Sequence, residues 1–261
     1  MPNQHPAQIA VTHTDSQCQL AAEALAHQLD LPFINDYAAA TQQYSFLLVF
    51  TRDYLGLLDT SYQKSTPFFI DFSGGKLHHR GKIAGRRNEL LGRAIGYKPS
   101  DNPYIIDATA GLGRDSFILA SIGFQVTMLE KSPIIHALLT DALRRAALSP
   151  TLAPVIQRMT LIRADATEWL PLHTVTKKPD VIYLDPMFPA RQKSALVKKE
   201  MVILQHLLPH DEDNTPLFQQ ALACTAKRVV VKRPRLAINI ADKTPTYCVT
   251  GNSSRFDVYV V

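Results

Sequence analysis

From residue 104 to the end of the chain, short β-rich apolar runs alternate with longer stretches of helical spacing, and this alternation admits few folds. The β-runs are residues 104–107, 125–129, 159–162, 181–184 and 228–231. The helical stretches are residues 114–121, 132 to about 148, 194–208 and 215–226, with Ser132-Pro133 supplying a cap and a first-turn proline. Strands linked by crossover helices predict an α/β fold: a mostly parallel, doubly wound sheet with helices on its faces. Residues 247–250 and 255–261 flank the turn Gly251-Asn252-Ser253-Ser254. A connection that short makes the last two strands antiparallel and brings the sheet to seven.

Residues 1–75 read as a small N-terminal α/β unit, with a strand at 8–12, a helix at 15–29 and β-rich runs at 46–51, 54–58 and 67–72. Residues 76–103 read as a basic connector, in which, from Lys76 to Lys98, seven Lys or Arg stand against the single acid Glu89. Residues 104–261 form the main domain. Charge is divided unevenly. The chain carries +5 overall, but residues 1–75 hold two basic and seven acidic side chains, leaving +10 on the rest. Such an asymmetry points to an anionic partner for the basic part.

Other classes are disfavoured. A composition 46% hydrophobic and 20% charged fits a globular chain, and no apolar run nears the ~18 residues of a membrane span. The N-terminus has no basic stretch followed by an apolar one, so no signal peptide is expected. Cys18, Cys224 and Cys248 lie far apart without a Cys-x-x-Cys, which argues against a zinc site or a disulfide framework and for a cytoplasmic location. His78-His79 lacks partners at ligand spacing, so no metal is expected. Ser73-Gly74-Gly75-Lys76 is followed by Leu77 where a phosphate-binding loop needs Ser or Thr.

Four features carry chemistry. Asp107-Ala-Thr-Ala-Gly111-Leu-Gly113-Arg114-Asp115 joins a strand to a helix. Glycines there allow a sharp turn and a close approach to a ligand. A dinucleotide fingerprint would have glycine where Ser116 stands, whereas an acid before Gly-x-Gly is the pattern of S-adenosylmethionine enzymes. Glu130 ends the next strand, 19 residues beyond Gly111, where an acid accepts ribose hydroxyls. Asp165, after the third strand, suits either an adenine amine or the N-cap of the following helix.

The third feature is Tyr183-Leu184-Asp185-Pro186-Met187-Phe188-Pro189. Asp-Pro-x-Phe resembles the Asp-Pro-Pro-Tyr/Phe tetrapeptide of amino-methyltransferases, with Met187 in place of the usual second proline. An exocyclic base amine is a poor nucleophile because its lone pair is delocalised. The Asp185 carboxylate and the Pro186 carbonyl can accept its two N–H groups and direct the lone pair at a methyl group, while Phe188 offers a stacking face. The catalytic candidates are therefore Asp185, Pro186 and Phe188.

The fourth feature is basic. Arg191, Lys193, Lys198 and Lys199 follow the Asp-Pro loop, and Lys227, Arg228, Lys232, Arg233 and Arg235 surround the fifth strand. With Lys76, Arg80, Arg86 and Arg87 they are candidates for phosphate contacts on RNA.

Taken with Leu129-Glu-Lys-Ser132, the run from Gln192 to Met201 and Arg228-Val-Val-Val-Lys-Arg-Pro234, these blocks resemble one family, the RsmJ guanine-N2 methyltransferases of bacterial 16S rRNA. The resemblance spans about residue 72 to the C-terminus, and the small N-terminal unit also suits it. It implies a Rossmann-like S-adenosylmethionine methyltransferase fold and methylation of one guanine in 16S rRNA or the small ribosomal subunit. It also implies cofactor contacts at Arg114, Asp115, Glu130, Lys131 and Asp185, and near Asp165, beside Asp107, Gly111 and Gly113 of the glycine loop. An amino-methyltransferase acting on DNA adenine or on protein glutamine shares the Asp-Pro motif and remains the alternative.

Overall fold

The computed structural model describes residues 9–62, 65–85, 87–186 and 213–261. The chain separates into two compact units: residues 9–71 with 137–145, and residues 72–136 with 146–186 and 213–261.

In the first unit, β1 (Ile9–His13) is followed by α1 (Gln19–Leu29), α2 (Tyr37–Gln43), β2 (Phe46–Phe50) and β3 (Leu55–Asp59). β1 pairs parallel with β2 through the crossover that carries both helices, and β2 pairs antiparallel with β3. The Asp36 carboxylate caps α2 by accepting the N–H groups of Ala38 and Ala39. Ala10, Ala40, Leu47, Val49 and Leu58 form the core of this unit. The expected β-run at 67–72 is reduced to one bridged pair, Leu57 with Phe68. Pro67 has no N–H to extend the ladder, and it lies against β3 so closely that a Cβ on Gly56 would stand 2.7 Å from its own.

The second unit opens with α3 (Gly75–Ile83) and α4 (Leu90–Ile95), then β4 (Ile105–Asp107), α5 (Arg114–Ile122), β5 (Val126–Glu130) and α6 (Pro133–Ala147, whose middle turns group with the first unit). It continues through α7 (Ala153–Ile156), β6 (Met159–Arg163), α8 (Ala166–His173), β7 (Val181–Leu184), α9 (Thr215–Cys224), β8 (Arg228–Pro234), β9 (Tyr247–Thr250) and β10 (Ser254–Val260). The sheet order is β6-β5-β4-β7-β8-β10-β9. Five strands are parallel, and β10 runs antiparallel between β8 and β9. This is the expected seven-stranded α/β sheet. Ile106, Leu129, Ile182, Leu184, Val229 and Val231 pack with Leu170 and Phe218. The central strands read as continuous apolar runs because both of their faces are buried.

Residues 76–103, read from sequence as a connector, fold into this unit. Leu91, Ala94 and Ile95 of α4 are fully buried. Gly81 of α3 lets Phe117 of α5 approach where a Cβ would stand 2.7 Å from its ring. The basic side chains obscure a short apolar stripe at helical spacing. No helix among the described residues is long and apolar enough to cross a membrane.

Candidate active site

The strand order reverses between β4 and β7, so crossovers leave these neighbours toward opposite sides of the sheet. A crevice opens beyond the carboxyl ends of strands at such a point. Asp107 ends β4 and Asp185 follows β7, so two of the sequence candidates meet there.

The glycine loop is held from both neighbouring strands. Ala108 N–H donates to the Tyr183 carbonyl (3.0 Å) and Ala110 N–H to the Leu129 carbonyl (3.0 Å). Gly111 and Gly113 adopt φ of 52° and 69°, the left-handed region that disfavours any side chain. A Cβ on Gly111 would meet only the Thr109 carbonyl, at 3.8 Å, so the loop is open on that side. The Glu130 carboxylate accepts Gly111 N–H (2.8 Å) on one oxygen and Ser132 N–H (2.7 Å) on the other. Burial pushes the Glu130 pKa up, and these backbone donors pull against that rise. The Lys131 N–H also bears on this carboxylate, whose four lone-pair sites still leave room for a ligand hydroxyl.

Asp107 is buried and faces inward. Its carboxylate accepts the Ser116 hydroxyl (2.5 Å) and Thr109 N–H (3.1 Å), and burial raises its pKa to about 7 against those bonds. Its part is to fasten the loop to the start of α5. The Thr109 hydroxyl in turn accepts Asp185 N–H (2.6 Å), tying the glycine loop to the Asp-Pro loop.

At the centre stands Lys232. Its Nζ lies 2.7 Å from Asp115 Oδ2 and 2.7 Å from Asp185 Oδ2. The Tyr183 hydroxyl donates to the same Asp115 oxygen at 2.6 Å. The Asp185 side chain keeps 38% of its surface exposed, against 12% for Asp115. Withdrawal from water raises the Asp185 pKa to about 6; Lys232 lowers it and Asp115 raises it. Burial disfavours the Lys232 cation, but the two carboxylates outweigh this and raise its pKa. Tyr183 is pushed well above its ordinary value by burial and by Asp115, Asp185 and Asp107. At neutral pH the cluster therefore presents an ionised Asp185 oriented by a charged lysine.

Several expected RNA contacts are corrected. β8 runs on to Pro234, three residues beyond the predicted end, so Lys232 and Arg233 belong to the strand. Lys232 is committed to the carboxylate cluster. Arg233 is 5% exposed and donates to the Ile238 carbonyl, so it is a buried support and not a phosphate contact. Arg80 is held by a bidentate pair with Glu89, Nε donating to Oε1 and Nη2 to Oε2. Lys227 and Arg228 stand at the amino end of β8, the edge opposite the crevice, and Arg228 packs over the Tyr97 ring and bonds the Tyr247 hydroxyl. Lys76, Arg87 and Arg235 are exposed. Asp165 caps α8, accepting Thr167 N–H and its hydroxyl. Arg114 and Lys131 are exposed beside the loop. Pro186 is buried. Phe188, Arg86, Arg191, Lys193, Lys198, Lys199 and the predicted helix at 194–208 lie outside the described residues.

Sequence reasoning missed Thr109, Ser116 and Tyr183, and misassigned Lys232. The signal was present in the strand period. Tyr183 and Asp185 lie two residues apart and so share a face. The pairing of Leu184 with Val231 places Lys232 next to Asp185 one step further along.

The SAM-dependent methyltransferase family model matches residues 27–261. Ribosomal RNA small subunit methyltransferase J of Thioalkalivibrio sulfidiphilus is 43% identical over 252 residues, covering 97% of each chain. The protein of the same name from Aeromonas hydrophila is 47% identical over 244 residues, covering 92% of this chain and 93% of that one. The chain belongs to the ribosomal RNA small subunit methyltransferase J family. A crystal structure of a SAM-dependent methyltransferase from Neisseria gonorrhoeae superimposes on this J-family chain with a TM-score of 0.72 and 32% identity, covering 96% of this chain and 95% of that one.

The site fits the methyl donor of such a family. S-adenosylmethionine carries a cationic sulfonium, and around Lys232 the two paired carboxylates exceed the cation by one charge. The open side of Gly111 and the spare acceptor capacity of Glu130 suit a methionine moiety and a ribose.

Proposed function

We propose that this protein methylates the exocyclic N2 of a guanine in small-subunit ribosomal RNA, with S-adenosylmethionine as methyl donor, in the cytoplasm where the subunit is assembled. The observation that carries the reading is the ionised, lysine-oriented carboxylate of Asp185 at the switch point of the sheet. Membership of the J family and the Asp-Pro-Met-Phe block support the substrate.

Asp107, Gly111, Gly113, Arg114, Asp115, Glu130, Lys131, Asp165 and Asp185 are the residues proposed to shape or contact the cofactor site, Asp107 and Asp115 through their bonds within the protein. When bound, S-adenosylmethionine supplies an electrophilic methyl group. Asp185 is proposed to accept one N–H of the guanine amine, and the Pro186 carbonyl the other. This favours a pyramidal nitrogen with its lone pair free. As the nitrogen–methyl bond forms, the amine loses a proton, and the Asp185 carboxylate, with its pKa raised to about 6, receives it. Phe188 is proposed as the stacking face. Most of the acceleration comes from holding the two reactants in line.

The test uses methyl-labelled S-adenosylmethionine and small subunits from a strain lacking this protein, followed by digestion and identification of the labelled nucleoside. Label in N2-methylguanosine is expected. Label in another nucleoside, or only in protein, would overturn the guanine assignment.

A further inference from the structure

Lys232 carries three N–H donors. Two point at Asp115 Oδ2 and Asp185 Oδ2. Among the described residues the third has no acceptor, and the side chain keeps 29% of its surface exposed. Asp185 itself has a second carboxylate oxygen and is more exposed still. The pair therefore presents two acceptor oxygens with a donor beside them. The fixed order is acceptor, acceptor, donor, because Lys232 sits on the Oδ2 side.

The edge of guanine that carries N2 presents the complementary order: an amine donor at N2, a donor at N1–H and an acceptor at O6. Adenine presents an amine donor beside an acceptor nitrogen. That nitrogen would face a carboxylate oxygen and leave a buried acceptor unpaired. Mismatches of this kind are where hydrogen-bonding sites discriminate most strongly, because the desolvated group has no replacement partner.

We propose that Lys232 is the specificity-determining residue of this site, donating its third N–H to guanine O6 while Asp185 accepts from N2 and N1. The inference rests on the guanine-N2 reading above and extends it. The same lysine orients the proton-accepting carboxylate and checks the identity of the base, so an incorrect purine loses both hydrogen bonding and alignment. Asp115 and the Tyr183 hydroxyl fix the lysine from behind, which keeps the donor aimed when no base is present.

The experiment compares subunits whose target guanine is native with subunits reconstituted with 2,6-diaminopurine at that position. This analogue keeps the N2 amine but replaces O6 with an amine and removes the hydrogen at N1. The readout is the ratio of kcat/KM for the two substrates. Wild-type protein is expected to prefer guanine by at least about a hundredfold, within the range seen for polar recognition sites. Lys232→Met is expected to lower that ratio by about tenfold or more. Lys232→Arg keeps the charge between Asp115 and Asp185 but displaces the donors, and its ratio is expected to fall between the two. Circular dichroism and the thermal melting transition report whether each variant is folded. A folded variant of either kind that slows both substrates equally and leaves the ratio at the wild-type value would overturn the specificity role while leaving the methyltransferase reading intact. Failure of the wild-type protein to form N2-methylguanosine on native subunits would overturn the reading itself.

Discussion

Asp185 works where a carboxylate is poorly solvated but still ionised near neutrality. Its pKa is raised to about 6, so the acceptor is lost as pH falls through that value. We expect kcat/KM to fall about tenfold per pH unit on the acid side of an inflection near 6. Asp107, Asp115, Tyr183 and Lys232 all act on this group or its neighbours, so the inflection belongs to the cluster and not to one residue. Asp115→Asn removes a like charge and leaves Lys232 to pair with Asp185, and its inflection should move to lower pH. Asp185→Asn should reduce turnover by about 10² to 10⁴, the usual span for a positioned proton acceptor. Its effect on stability has the opposite sense. A carboxyl with a raised folded pKa contributes stability below its unfolded value and loses it as pH rises through the folded one. At pH 8 the variant should therefore melt at the wild-type temperature or above, and a clearly lower Tm would contradict this account. The Asp-Pro motif announces Asp185 in the sequence. Tyr183 and Lys232 are harder to read, because a tyrosine or lysine at the end of an apolar strand is ordinary until its neighbour across the sheet is known.

Strands and helices are legible where hydrophobic period and turn chemistry agree. All seven strands of the large sheet can be read from the sequence, since a parallel core leaves long apolar runs between loops. The misreadings fall where local composition and tertiary packing disagree. Two helices are hidden under the charge of residues 76–98, and β8 reads three residues short because Lys232 and Arg233 break its apolar run. The glycine loop gives a test at this scale. Its conformation depends on Glu130, which holds Gly111 N–H from the adjacent strand. Glu130→Ala removes that acceptor and also a proposed ribose partner. S-adenosylhomocysteine affinity should fall about tenfold or more, roughly the contribution of one charge-assisted hydrogen bond. Amide exchange at Gly111 should accelerate in the unliganded protein. Weaker binding with unchanged exchange would mean that Glu130 contacts the ligand without holding the loop.

Over the whole molecule, the amount of basic charge is legible in the sequence, but the direction in which it faces is not. Along the chain the basic residues around β8 form one group. The strand instead places Lys227 and Arg228 at its amino end and carries Lys232 to the crevice end, so the group is divided between two edges. Arg233 and Arg80 are taken up by internal partners. Of the described candidates away from the amino end of β8, Lys76, Arg87 and Arg235 remain exposed, and these are the ones proposed to meet phosphates. Counterion release makes this measurable. Each lost phosphate contact should reduce the slope of log affinity against log salt by about 0.7 to 0.9. Lys76→Ala, Arg87→Ala and Arg235→Ala should each lower the slope for small-subunit RNA by that amount while leaving S-adenosylhomocysteine binding unchanged. Lys227→Ala removes an equally exposed charge from the edge opposite the crevice and should leave the slope at its wild-type value. Equal losses from all four would mean that RNA senses only the net charge of the molecule. A loss confined to the first three would identify them as residues that meet the RNA backbone, with Arg235, just beyond the carboxyl end of β8, marking its approach to the crevice.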